Sequence, residues 1–60
     1  MTDAERLLKL RHDIANPLAA LLAETQLLLL SPEKIDPETL ASLKEMEKLS
    51  LRMRTILKEV

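Results

Sequence analysis

An apolar residue recurs every seven positions along the first half of the chain, and this repeat constrains the fold more than any other feature. The repeat consists of Leu7, Ile14, Leu21 and Leu28. Leu18 and Thr25 lie between these residues at four-three spacing, and three further leucines widen the stripe: Leu8, Leu22 and Leu29. Such a repeat is typical of a helix that packs against other helices, and here it predicts a bundle helix of about 25 residues.

Local signals predict where this first helix begins and ends. Thr2 and Glu5 have capping-box spacing, in which the threonine hydroxyl accepts a backbone N–H of the first turn and the glutamate reaches back to the cap. Ser31-Pro32 ends the helix, because proline disfavours the helical conformation in the residue before it. These signals predict a helix over about 3–30.

A second helix is predicted over about 37–60, after a loop over about 31–36. Asp36 supplies a side-chain acceptor at the cap, and Pro37 and Glu38 suit the first turn. Apolar and small residues then recur in steps of three and four: Leu43, Met46, Ser50, Met53, Leu57 and Val60, flanked by Leu40, Leu49 and Ile56. The basic residues of this segment are interpreted as a solvated face: Lys44, Lys48, Arg52, Arg54 and Lys58.

The predicted fold is all-α, an antiparallel helical hairpin formed by residues 1–60 as one domain. A short connection between helices of similar length makes them antiparallel neighbours. Two such helices bury too little apolar surface in 60 residues to be stable alone. We therefore expect the hairpin to homodimerise into a four-helix bundle. The alternatives are a monomeric hairpin, a fragment that needs a different partner, and a longer coiled coil cut at Val60.

Composition argues against several classes of function. The chain has no Cys and one His, so no cluster has metal-ligand spacing, and no cofactor site is predicted within it. A formal charge of -1 gives no bulk attraction to nucleic acid or to a membrane surface. No targeting segment is recognisable, and the apolar stretch 14–30 is interrupted by four residues: Asn16, Pro17, Glu24 and Gln26. A cytoplasmic location is expected.

The segment His12 to Leu18 departs from the pattern of a plain bundle helix. His12 lies about 200° around the helix from Ile14 and is expected to face solvent. A lone exposed histidine is most simply a polar surface residue. However, Asp13 is an adjacent acid that could accept a proton from one imidazole nitrogen, and Asn16 lies one turn on, on the same side as His12.

Pro17 is unexpected inside a helix, because it removes a backbone hydrogen bond to Asp13 and costs about 3 kcal/mol. It is interpreted either as a tolerated kink that curves the helix around a bundle or as a device that loosens the turn bearing His12. The second interpretation predicts that the helix bends while the imidazole changes partner.

The segment His12-Asp13-Ile14-Ala15-Asn16-Pro17-Leu18 resembles the phosphoacceptor box of two-component sensor histidine kinases. In that family a His is followed by an acid, an apolar residue, a variable position, Thr or Asn, then Pro and an apolar residue. The family domain is a helical hairpin that dimerises into a four-helix bundle. The resemblance covers the pattern of the whole chain, but only these seven residues are diagnostic.

The resemblance implies roles for individual residues. His12 would attack the γ-phosphoryl group of ATP and pass it to an aspartate of a response regulator. Asp13 would be its general base or polarising acid, and Asn16 would position water when the regulator is dephosphorylated. Asp13 is shorter than the commoner Glu, and Ala15 stands where a basic residue is frequent, which puts a contact between that position and phosphate in doubt.

The resemblance also implies components that this chain lacks. A histidine kinase needs an ATP-binding domain with Gly-rich segments, and the chain has no Gly, so ATP and Mg²⁺ are expected on a separate domain and the chain alone should be inactive. It is expected to be either an excised kinase domain, such as the cytoplasmic part of a membrane-anchored sensor, or a free-standing phosphorelay protein. The expected partners are a second copy, the ATP-binding domain and a receiver domain. A structural dimerisation hairpin without phosphotransfer is the alternative.

A face for a partner is predicted beside His12. Ala15, Ala19 and Ala23 form a smooth stripe along which another protein could approach the imidazole closely. The stripe is equally explained by the high helix propensity of alanine.

Overall fold

The computed structural model describes all 60 residues as a helical hairpin without strands. Helix α1 comprises Asp3–Leu29 and helix α2 comprises Pro37–Glu59, and a 3-10 turn, Pro32–Lys34, lies in the connection. The hairpin measures 49 × 15 × 12 Å. The predicted all-α hairpin is confirmed, and each helix ends one residue before its predicted end.

Both helices begin with the predicted caps. The Thr2 hydroxyl accepts the backbone N–H of Glu5 at 3.1 Å and donates to the Glu5 carboxylate at 3.1 Å. The Asp36 carboxylate accepts the backbone N–H of Thr39 at 3.0 Å. Hydrogen bonds from Thr39 favour the charged carboxylate and hold the pKa of Asp36 below its ordinary value of 3.8. The caps therefore satisfy backbone donors that each helix leaves free at its start.

The interior of the hairpin is a narrow stripe between the two helices. Its fully buried members are Leu18, Leu22 and Thr25 of α1 and Leu43 and Ser50 of α2. The Thr25 hydroxyl donates to the carbonyl oxygen of Leu21 at 2.8 Å, and no buried side-chain polar atom lacks a hydrogen-bond partner. Only five residues are buried, so this interior alone is small even for a chain of this length.

Only part of the predicted seam forms the interior of the hairpin. Leu18 and Thr25 of that seam are buried against α2, whereas the sevenfold repeat itself is not. Leu7, Ile14, Leu21 and Leu28 keep between 41% and 57% of their surface exposed. Ile14, Leu21 and Leu28 each lie one position, or about 100°, before a residue that packs toward α2, namely Ala15, Leu22 and Leu29. Leu7 precedes Leu8, which is itself 56% exposed. Helix α2 shows the same offset, since Met46, Met53 and Val60 are 43–49% exposed.

These exposed residues lie on one side of the hairpin. In antiparallel helices, positions that precede the inward stripe by one residue point to the same flank. We call this surface the apolar flank; it consists of Leu7, Ile14, Leu21 and Leu28 of α1, Met46 and Met53 of α2, and Val60, which follows α2. The accessible surface of the chain is 4860 Å², whereas a compact monomer of this mass exposes roughly 4,000 Å².

Candidate functional site

His12 and Asn16 form a solvent-exposed pair on one face of α1, as the spacing predicts. The Asn16 Nδ2 atom lies 3.3 Å from His12 Nε2. An amide nitrogen only donates, so with the Asn16 amide in this orientation Nε2 is the acceptor, and the neutral imidazole carries its proton on Nδ1. The nitrogen with the free electron pair is therefore the one nearest Asn16.

Asp13 pairs with Lys9 and makes no hydrogen bond to His12, which departs from the expected contact between the acid and the imidazole. Its Oδ2 atom accepts from Lys9 Nζ at 2.8 Å, one turn back along the helix. This hydrogen bond lowers the pKa of Asp13 and raises the pKa of Lys9. Neighbouring residues of a helix do not face each other, whereas residues four apart do. The role of Asp13 as a base stays a prediction.

Pro17 lies inside α1, and the helix continues through it from Asp3 to Leu29. Because proline has no N–H, the carbonyl oxygen of Asp13 loses the helical partner that another residue would supply. This carbonyl group belongs to the residue after His12, whereas the Pro17 ring lies about 140° around the helix from the His12 side chain. The bending of this turn stays a prediction.

Replacing Pro17 with Ala should raise the midpoint of thermal unfolding. The substitution restores a helical hydrogen bond and removes a ring clash, which together are worth up to roughly 3 kcal/mol. Greater freedom of the unfolded chain offsets about 0.4–1 kcal/mol of this gain. Pro32→Ala is the matched control, because Pro32 starts the 3-10 turn outside both helices. This substitution should only lower the midpoint, through the greater freedom of the unfolded chain. A lower midpoint for Pro17→Ala would mean that the packing requires the kink.

A cavity of about 680 Å³ opens between the two helices beside Asn16. Its walls include Ala15, Ala19 and Ala23, the alanine stripe that the sequence singles out. Three of its other lining residues are cationic: Arg11, Arg54 and Lys58. No acidic residue lines it, and the one salt bridge in the structure is between Lys9 and Asp13. The cavity is therefore positively charged.

Arg11, one position before His12, links α1 to Val60, the residue that follows α2. It is half-buried, and its Nη1 atom donates to the main-chain oxygen of Val60 at 2.9 Å. This hydrogen bond holds the guanidinium group of Arg11 at the cavity, and Arg11 directly precedes His12 in the chain.

Arg54 and Lys58 line the cavity, a position that the sequence interpretation did not assign to any basic residue of α2. Both side chains are exposed, as the interpretation of a solvated face predicts. The spacing of the basic residues along α2 distinguishes Arg54 from Arg52. Arg54 continues the three-four steps through Glu47 and Ser50 that turn toward α1, whereas Arg52 does not.

The site lies on the flank opposite the apolar flank. His12 follows the half-buried Arg11 by one position, whereas Ile14 precedes the half-buried Ala15 by one position. The two side chains therefore point about 200° apart around α1. A protein or domain could cover the apolar flank and leave His12 accessible.

Neither helix has a stretch both long and apolar enough to cross a membrane. No group of three or more metal-binding side chains comes together in the hairpin. Comparisons with protein-family models, with curated proteins and with solved structures found no match to this chain.

Proposed function

We propose that this chain is the dimerisation and phosphoacceptor domain of a sensor histidine kinase. His12 accepts the γ-phosphoryl group of ATP from a separate ATP-binding domain and passes it to an aspartate of a response regulator. The observation that carries the proposal is the exposed His12–Asn16 pair, set within the segment that resembles the phosphoacceptor box. Its Nε2 atom has the electron pair that nucleophilic attack requires.

The transfer needs little from this chain beyond a positioned nucleophile. The Nε2 electron pair forms the N–P bond, the bond between the γ-phosphorus and the bridging oxygen breaks, and ADP leaves with that electron pair. The imidazole keeps its Nδ1 proton during the attack. Phosphoryl transfer depends mainly on positioning and electrostatics, and ATP and Mg²⁺ would be held by the separate domain.

The neighbours of His12 support the same chemistry. Asn16 must release Nε2 before the attack, and its amide is then free to donate to a phosphoryl oxygen or to orient water. Asp13 would act on the imidazole only after its pair with Lys9 opens, which is feasible because both side chains are more than half exposed.

The apolar flank supports dimerisation through a second copy of the chain. The hairpin exposes about 900 Å² more than a compact monomer of its mass, and a standard interface buries about 800 Å² on each partner. Paired through their apolar flanks, two hairpins form a four-helix bundle with both His12 side chains on its outside.

The alternative is a structural hairpin that dimerises without phosphoryl traffic. The apolar flank alone would suit that role equally well. The positively charged cavity beside Asn16 favours phosphotransfer, because cations next to a phosphoryl group would stabilise its negative charge.

Transfer to receiver domains tests the proposal. Phosphoramidate phosphorylates exposed imidazoles, and His12 is the one histidine of the chain. We expect ³²P on His12 to move to the aspartate of a response-regulator receiver domain within minutes, measured by gel autoradiography. The matched control is His12→Gln, which should carry no label and support no transfer. Loss of the label only as inorganic phosphate, at the same rate with and without every receiver domain of a panel, would contradict the proposal.

A further inference from the structure

We propose that Arg11, Arg54 and Lys58 form an anion site that holds the phosphoryl group once it is on His12. The inference rests on the proposed function and adds residues of α2 to the site. Sensor histidine kinases frequently have a basic residue at the position of Ala15. In this chain α1 therefore has no cation at that position. Two of the three cations, Arg54 and Lys58, come from α2 instead, and Arg11 lies one turn before Ala15 on α1.

The geometry places an Nε2-linked phosphoryl group at the mouth of the cavity. His12 Nε2 faces Asn16 at 3.3 Å, and Asn16 itself lines the cavity with the three cations. A phosphorus atom on Nε2 would displace the Asn16 amide from this nitrogen and carry its oxygens toward the same space. The small side chains of Ala15 and Ala19 leave that space open.

The charges around the site favour a dianion. None of the three cations forms a salt bridge with an acidic side chain; Arg11 donates to the main-chain oxygen of Val60, and Arg54 and Lys58 make no side-chain hydrogen bond that an anion would have to displace. Two of them, Arg11 and Arg54, present guanidinium groups, whose planar N–H donors match phosphoryl oxygens. The nearest acid on α1 is Asp13, which is paired with Lys9, and no acid of α2 lines the cavity.

The protonation of the phosphoryl group tests the inference without any kinase activity. Chemical phosphorylation forms the bond between Nε2 and phosphorus, breaks the P–N bond of phosphoramidate and releases ammonia with the electron pair of that bond. The ³¹P chemical shift of the phosphorylated chain is then followed from pH 5 to 9. Cations beside the group stabilise its dianion and lower its pKa, so removing them should raise that pKa by roughly half a unit or more.

The variant is the double substitution Arg54→Gln and Lys58→Gln, which leaves the hydrogen bond of Arg11 intact. The matched control is Lys48→Gln and Arg52→Gln, which removes the same charges from α2 residues outside the cavity. A higher phosphoryl pKa in the first variant than in the control supports the site. Equal values in the two variants would overturn it, because the charges would then act only through the net charge of the chain. Failed transfer to receiver domains with the expected pKa difference would overturn the proposed function and leave the anion site.

Discussion

Replacing Ile14 or Leu21 with Asp should convert the chain from a dimer into a monomer that has lost most of its helical structure. In the isolated hairpin both side chains are about half exposed, at 41% and 47%, so a polar substitution would cost little there. In the proposed bundle each position is central to the interface, and an unpaired carboxylate buried there costs several kcal/mol per chain. The hairpin buries only five residues, and we therefore expect it to unfold when it is held as a monomer.

Leu27→Asp is the matched control for this prediction. Leu27 is also an exposed leucine of α1, at 59%, but it lies outside the apolar flank. Sedimentation equilibrium gives the mass of each variant, and circular dichroism at 222 nm gives its thermal midpoint. We expect the Leu27 variant to remain dimeric with nearly the parental midpoint. Dimers with unchanged midpoints for all three variants would show that the apolar flank is not the interface.

The sequence was sufficient to predict the hairpin, because its boundaries depend on local chemistry. Thr2 and Asp36 each place a side-chain oxygen within reach of a backbone N–H three residues on, and the structure contains both bonds. Proline then marks the end of one helix and the start of the next. These signals involve residues within one helical turn, so they do not depend on how the two helices pack.

The choice of interior stripe could not be predicted from periodicity. Helix α1 has two apolar stripes about one residue apart, and both satisfy a repeat of three and four. The predicted seam includes Leu18, which is buried against α2, and also Leu7 and Leu21, which are about half exposed, while Leu22 beside the seam is buried. Which stripe packs within the chain depends on how α2 lies across it, and that is a property of the pair of helices.

The candidate site was partly predictable from the sequence, because some of its contacts lie within one helix. His12 and Asn16 are one turn apart on a single helix, so their pairing follows from helical geometry alone. The pairing of Asp13 with Lys9 follows from the same rule, which sequence reasoning did not apply to that acid. Arg54 reaches the site only through the packing of α2 on α1, so it could be found only with the two helices in place.

In the proposed function the apolar flank binds a second copy of the chain, and the opposite flank carries the phosphotransfer site. Dimerisation through the apolar flank would leave His12 and the cavity on the outside of the bundle, accessible to an ATP-binding domain and then to a receiver domain. Because each partner would approach from the same side, the two could not occupy one His12 together. Phosphorylation and transfer would then be successive events at one nitrogen.

Replacing His12 with Gln should abolish phosphorylation while leaving the fold intact. Glutamine keeps a polar side chain of similar length but has no nucleophilic nitrogen. Because His12 is exposed, the free energy of unfolding should change by no more than about 0.5 kcal/mol. A large loss of stability would show that the imidazole has a structural role in the hairpin.

The most direct measurement joins the ATP-binding domain of a sensor histidine kinase after Val60 and follows transfer of ³²P from ATP, with the His12→Gln variant beside it. The account predicts acid-labile, base-stable label on the dimeric parent chain and none on the variant. Equal label on both proteins, or a folded dimeric parent that stays unlabelled with several such domains and linker lengths, would contradict the assignment of His12 as the phosphoacceptor.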